Sequence, residues 1–205
     1  MLNVFYTDER SSEIVARKQA FFLLCIKQII YPEMIELLRS RRSVRKFTEQ
    51  AIEPEKIETL KEAILRAPTS KNSQACEFIF IDEPEVLQKL ATCKPHGAAP
   101  LQTAKLAVAI LAKEYETVAW IEDSAISSFT AHLTAHSLGL GSCWIQIRGR
   151  EYSDKKSSET FVCEVVNISE GYRVLSIVAI GYAHRPHEGK SFNDLDFGKI
   201  HHNRF

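Results

Sequence analysis

Residues 106–111, Leu-Ala-Val-Ala-Ile-Leu, are six apolar residues in a row with no polar alternation. A strand with one wet face alternates apolar and polar side chains, so an unbroken apolar run of strand length must be covered on both faces. Residues 140–147 and 174–180 read as two further core strands, and 78–81 as a shorter buried one. Helical spacing appears elsewhere. Met34, Ile35, Leu37 and Leu38 mark a short helix over 34–42. A second helix starts near Pro54 with Ile57, Leu60, Ile64 and Ala67 in period and stops at Pro68, and a third starts at Pro84 and fades at Lys94–Pro95. Residues 121–138 form a long helix, apolar nearly all round, which predicts burial on several sides, with Gly139 as its C-terminal stop. The segment between the last two strands is polar, and 154–160 is expected to be exposed. Strands and helices mix without strict alternation, and there are too few strands for a doubly wound sheet. The reading is therefore an α+β sandwich, a central sheet flanked by helices.

The 205-residue chain has room for one such domain, assigned to 34–205. Residues 1–33 read as an extension, with 13–30 as one amphipathic helix ending before Pro32. The apolar stretch 20–26 follows Arg17 and Lys18 as in a signal peptide, but Lys27 and Gln28 interrupt it and no small-residue cleavage site follows. No apolar run approaches the roughly 20 residues of a membrane helix. The formal net charge is zero, which argues against nucleic acid as a partner and confines any anion site to a local cluster. Five cysteines, an odd number without a CxxC pair, indicate neither a disulfide framework nor a zinc knuckle, and point to a reducing compartment, the cytoplasm.

Several familiar chemistries find no footing. Gly139 and Gly141 follow a helix and lack the third glycine of a dinucleotide fingerprint, and there is neither a phosphate-binding P-loop nor a GxSxG elbow. His132 and His136 share a helix face but have no glutamate between them and no third ligand, so no metal site is assigned. His201 and His202 read as solvated. Three segments do carry chemistry. Arg41-Arg42-Ser43-Val44-Arg45-Lys46 sets four cations and a hydroxyl where a helix ends, either a phosphate grip or a solvated basic helix terminus. Pro68-Thr69-Ser70-Lys71-Asn72-Ser73-Gln74 is dense in amide and hydroxyl groups, suited to a heterocycle edge or simply to a turn. Gly139-Leu140-Gly141-Ser142-Cys143-Trp144-Ile145 is a tight corner whose small residues let a flat ring approach the backbone, or a corner that only buries Trp144.

In this order, with Ile180-Gly181-Tyr182 closing the last strand, the segments resemble the nitroreductase family of flavoenzymes from about Met34 to Tyr182. The resemblance implies a nitroreductase-like fold with a mostly antiparallel sheet, and FMN at the interface of a homodimer. Arg41, Arg42 and Ser43 would hold the phosphate and ribityl chain, and Arg45 would lie near flavin N1 and O2. Pro68, Thr69, Ser70 and Asn72 would reach the flavin from the partner subunit, and the backbone of Trp144, Ile145 and Gln146 would approach N5. Lys190, with Arg185 as the alternative, would complete the phosphate site from the tail. Hydride would pass from NAD(P)H through flavin N5 to a small oxidised acceptor such as a nitroaromatic or quinone, with no dedicated protein acid or base. Substrate dehydrogenation, dehalogenation or flavin binding without catalysis are the alternative readings. Two departures stand out: Ala75-Cys76 replaces the family's frequent Pro-Trp, and Gln146 replaces a frequent glycine.

Overall fold

The computed structural model describes residues 34–205; the helix expected over 13–30 lies outside the described residues. Contacts divide the chain into units Met1–Glu36 and Leu37–Phe205, and the second carries the sheet and the clefts described below. Helix α1 spans Met34–Ser40. Helix α2 (Pro54–Leu65) and α3 (Pro84–Leu90) both begin on proline, whose missing N–H costs nothing in a first turn. Four long strands, β1 (Cys76–Ile81), β2 (Leu106–Lys113), β3 (Gly141–Gln146) and β6 (Tyr172–Gly181), form one sheet in the order β1-β2-β6-β3 with every neighbouring pair antiparallel. The two core runs are thus the two central strands, paired from Leu106 with Ile180 to Lys113 with Tyr172.

Both faces of β2 are covered, as its composition requires. Leu106, Val108 and Ile110 pack with Leu60 and Ile64 of α2 and with Ala131 and Ala135 of helix α4 (Trp120–Ser137). Ala107, Ala109 and Leu111 pack in a second cluster with Leu87 and Leu90 of α3 and Val162 of helix α5 (Ser158–Val165). The result is the helix-flanked antiparallel sheet of the expected α+β sandwich.

Two expectations need correction. The polar segment after β3 holds a small hairpin, β4 (Glu151–Ser153) with β5 (Lys156–Ser157), and then α5, whose Ser158 and Val162 are buried. That helix is only two turns long, too short for a clear period; the hydroxyl of Ser157 caps it by accepting the Thr160 N–H. Helix α4 is not buried all round. Its inward face is Asp123, Ser124, Ser127, Ser128, Ala131, His132 and Ala135, while Ile126 and Phe129 are 39% and 45% exposed. Small side chains along most of this face let the helix lie close to the sheet, while Trp120 at its start packs inward with Ala112 and Leu175. None of the described helices is long and apolar enough to cross a membrane.

Candidate functional site

The segment following α1 is knitted to the end of the sheet. Val44 N–H donates to the Ser142 carbonyl, Thr48 N–H to Tyr182, and His184 N–H to Lys46, at 2.9–3.0 Å. Val44 and Phe47 are buried while Arg45 and Lys46 stay exposed. Two glycines make this approach possible. A Cβ at Gly141 would lie 2.7 Å from the Val44 side chain, and one at Gly181 would lie 3.0 Å from Phe47. Gly139, at φ +76°, takes the left-handed turn out of α4 that leads into β3.

This stitching brings the first and third sequence segments into one cleft of about 500 Å³, lined by Ser43, Arg45, Lys94, Trp144, Gln146 and Arg150 among others. Along one wall, the Trp144 indole N–H donates to Gln146 Oε1 at 3.0 Å, and Gln146 Nε2 donates to the Arg148 carbonyl at 3.0 Å. Lys94 Nζ donates to the Gln146 carbonyl at 2.7 Å, and burial holds its pKa below the usual lysine value. The Leu175 carbonyl accepts from both Ile147 and Arg148 N–H, which ends β3 just past Gln146. The Ile145 side chain is wholly buried in the core, so only its backbone can serve a ligand. Cys143 also lines the cleft, but burial raises its pKa and keeps it a thiol, not a nucleophilic thiolate.

The four cations of the first segment separate. Arg41 turns to α4, its Nη1 2.6 Å from His132 Nε2. Arg42 lines a smaller cleft with His136 and His187. Arg45 lines the main cleft and also an adjoining opening with Lys46, His184, Arg185 and His187. Of the two tail cations considered, Arg185 therefore shares an opening with Arg45. The tail before Lys190 passes the end of α1 so closely that a Cβ at Gly189 would overlap the Arg39 carbonyl, which sets the Lys190 backbone beside the end of that helix.

The loop 68–74 lies apart from this cleft within the chain. Thr69 and Gln74 line a different cavity of about 320 Å³ with Cys76 and Ser127. The loop is a short turn over Ser70–Asn72, with Lys71, Asn72 and Gln74 at φ +52°, +55° and +49°. Such angles cost a non-glycine residue about 1 kcal/mol each and persist only where the surroundings impose them. Here the imposing group is Asp123, 2% exposed in the first turn of α4. Its carboxylate accepts the Ser70 N–H at 2.8 Å and the Ser73 hydroxyl at 3.3 Å, and Gln74 N–H bonds Thr69 Oγ1 at 3.1 Å.

Sequence reasoning missed Lys94, Asp123 and the part His132 plays. A signal for the last two existed: from Asp123 to Ala135 one face of α4 carries small and polar residues at helical spacing, an odd inner face unless the polar members have partners. Their partners are supplied by the loops and strands around the helix, which helical periodicity does not reveal.

A cleft of this size, with a guanidinium and a hydroxyl at one wall and an indole at another, is within the range of cofactor sites, and its donors match an anionic, flat ligand. The nitroreductase family model matches residues 38–110 and 101–182. An FMN-dependent nitroreductase from Clostridium difficile R20291 is 39% identical, with a TM-score of 0.82 over 84% of this chain and 100% of that one. A protein of Archaeoglobus fulgidus named as a candidate NADH dehydrogenase/NAD(P)H nitroreductase is 29% identical over 168 residues, 80% of this chain and 91% of its own. The NADPH:FMN oxidoreductase of Vibrio harveyi, at 24% identity and a TM-score of 0.70 over 83% of this chain and 77% of that one, shares the fold. The sheet, the glycine-stitched corner and these matches agree: the chain belongs to the nitroreductase family.

Proposed function

We propose that this protein is an FMN-dependent oxidoreductase that moves hydride from NAD(P)H to a small oxidised acceptor such as a nitroaromatic or a quinone. The observation that carries the reading is that Ser43 and Arg45, far from Trp144 and Gln146 in sequence, line the same cleft. Bound there, FMN would supply hydride acceptance and donation at N5. Ser43 and Arg41, joined by Arg42 and by Lys190 or Arg185, would bind the phosphate, because guanidinium forks match phosphate oxygens. Arg45 would orient the ring edge at N1 and O2, its fixed charge favouring a negative ring. The β3 backbone at Trp144, Ile145 and Gln146 would face N5, held by Ile145 in the core and by Lys94 on the Gln146 carbonyl. No side chain is assigned to proton transfer.

The homodimer belongs to this proposal. Exposed Ile126 and Phe129 on α4, and Phe192, Phe197 and Ile200 in the tail, are apolar surfaces that a second copy would cover. Pro68, Thr69, Ser70 and Asn72, remote from the main cleft of their own chain, would then serve the partner's flavin. The four described thiols are free, in keeping with a cytoplasmic enzyme. The test is anaerobic stopped-flow of the purified, FMN-loaded protein. Bleaching of the yellow flavin by NADH or NADPH, and its return on adding a nitroaromatic or a quinone, is the expected result. A protein that takes up no FMN, or whose flavin neither nicotinamide bleaches, rejects the proposal.

A further inference from the structure

His132 sits 6% exposed on α4, between two segments that the proposed function uses. Its Nε2 lies 2.6 Å from Arg41 Nη1, and its Nδ1 bonds Ser142 Oγ. The Ser142 hydroxyl donates at 3.2 Å to the backbone carbonyl of His132 itself. With its proton committed there, Ser142 Oγ can only accept from the ring, so Nδ1 carries the proton and Nε2 offers a lone pair. An arginine has no acceptor and cannot lose its proton, so Nη1 donates. All the roles around the ring are therefore mutually set.

We propose that His132 is a positioning residue for the phosphate-binding arginine: as a neutral acceptor it fixes one N–H of Arg41 and leaves the remaining donors of the guanidinium available to an anion. This rests on the reading of Arg41 as a phosphate ligand. Without an acceptor behind it, a long side chain at the end of α1 would have to be immobilised by the ligand itself, at a cost in affinity. Among the described residues, the charged and titratable neighbours that face the ring are Arg41 and His136, and His136 is in turn tied at 2.8 Å to Ser40 Oγ. Burial first, then Arg41, push the His132 pKa down to about 4, so the acceptor form prevails at neutral pH.

The experiment titrates the full-length protein with FMN and with riboflavin, which lacks the phosphate, following flavin fluorescence. Arg41→Ala and His132→Leu should each reduce the preference for FMN over riboflavin about tenfold, the double variant should lose little more, and His132→Gln, which keeps an acceptor and a donor, should retain most of the preference. A purely structural role for His132 would weaken both ligands alike, and additive losses in the double variant would show that the two residues act independently. Either result overturns the inference. An unchanged preference in Arg41→Ala alone instead rejects Arg41 as a phosphate ligand. His132→Gln also guards against misfolding, since it keeps the buried hydrogen bonds.

Discussion

Residues 43–48 and residues 68–74 are both polar segments that the proposed site uses, and they are held in opposite ways. The first is bridged to the sheet: backbone bonds tie it to Ser142, Tyr182 and His184, Val44 and Phe47 anchor it in the core, and two glycines clear its path. The second has no sheet partner and three left-handed residues, and it depends on one buried carboxylate, Asp123. A segment built into a sheet is rigid whether or not a ligand is present. A strained loop with local bonds of its own but a single buried carboxylate holding it to α4 is the more easily loosened, which suits a segment that completes a neighbour's site.

The largest expected effect concerns the buried histidine behind the first segment. Its folded pKa of about 4 lies below the ordinary 6.5, so between those values the unfolded chain binds a proton that the folded chain refuses. Stability should therefore fall as pH drops from about 7 to 4, by up to about 3 kcal/mol. His136, also lowered by burial and by Arg41, adds to the same slope. Urea unfolding across this range should show a shallower fall in His132→Gln than in the wild type; identical slopes would remove His132 as the cause.

Next comes Gly141→Val, which forces side-chain atoms onto Val44 at the stitched corner. Overpacking of this kind costs about 2–3 kcal/mol, and FMN affinity should fall with the urea midpoint. A neutral result would mean that the corner is pliable and that the two segments differ less than their bonding suggests.

Asp123→Ala addresses the other side of the comparison. It strips the acceptor from the Ser70 N–H and the Ser73 hydroxyl, a loss of about 1–2 kcal/mol. The loop should become the first site cut in limited proteolysis, at Lys71. Protection equal to wild type would show that the loop is held by more than Asp123. The smallest change in stability is expected for Gln146→Gly, which removes the partner of the Trp144 indole. Acceptor KM should shift while the rate of flavin reduction by nicotinamide stays within about threefold, under 1 kcal/mol. Equal loss in both half reactions would place Gln146 in the chemistry shared by both and not in acceptor choice.

The fold was largely readable because its evidence is local. Four strands were readable, one of them as an unbroken apolar run, and prolines marked two helix starts. What escaped was short or inverted. Helix α5 spans two turns, and α4 turns Ser124, Ser127 and Ser128 inward and Phe129 outward, so the rule that apolar residues face the core misread it. In the site, Ser43, Arg45 and Trp144 stand in segments read from the residues themselves, Gln146 entered through the family resemblance, and the cleft unites them. Lys94, Asp123 and His132 carried no motif, since each acts on a group distant in sequence.

The sequence by itself determined the sheet-and-helix plan, the family and the polar segments, because runs, caps and motif order are properties of neighbouring residues. Only the tertiary structure decided which of those segments meet. It sent Arg45 into the cleft and Arg41 to His132, and held the loop 68–74 at Asp123. The reason is geometric: the glycine-cleared contact between Val44 and β3 fixes where each neighbouring side chain emerges, and such a contact exists only once the chain has folded back on itself.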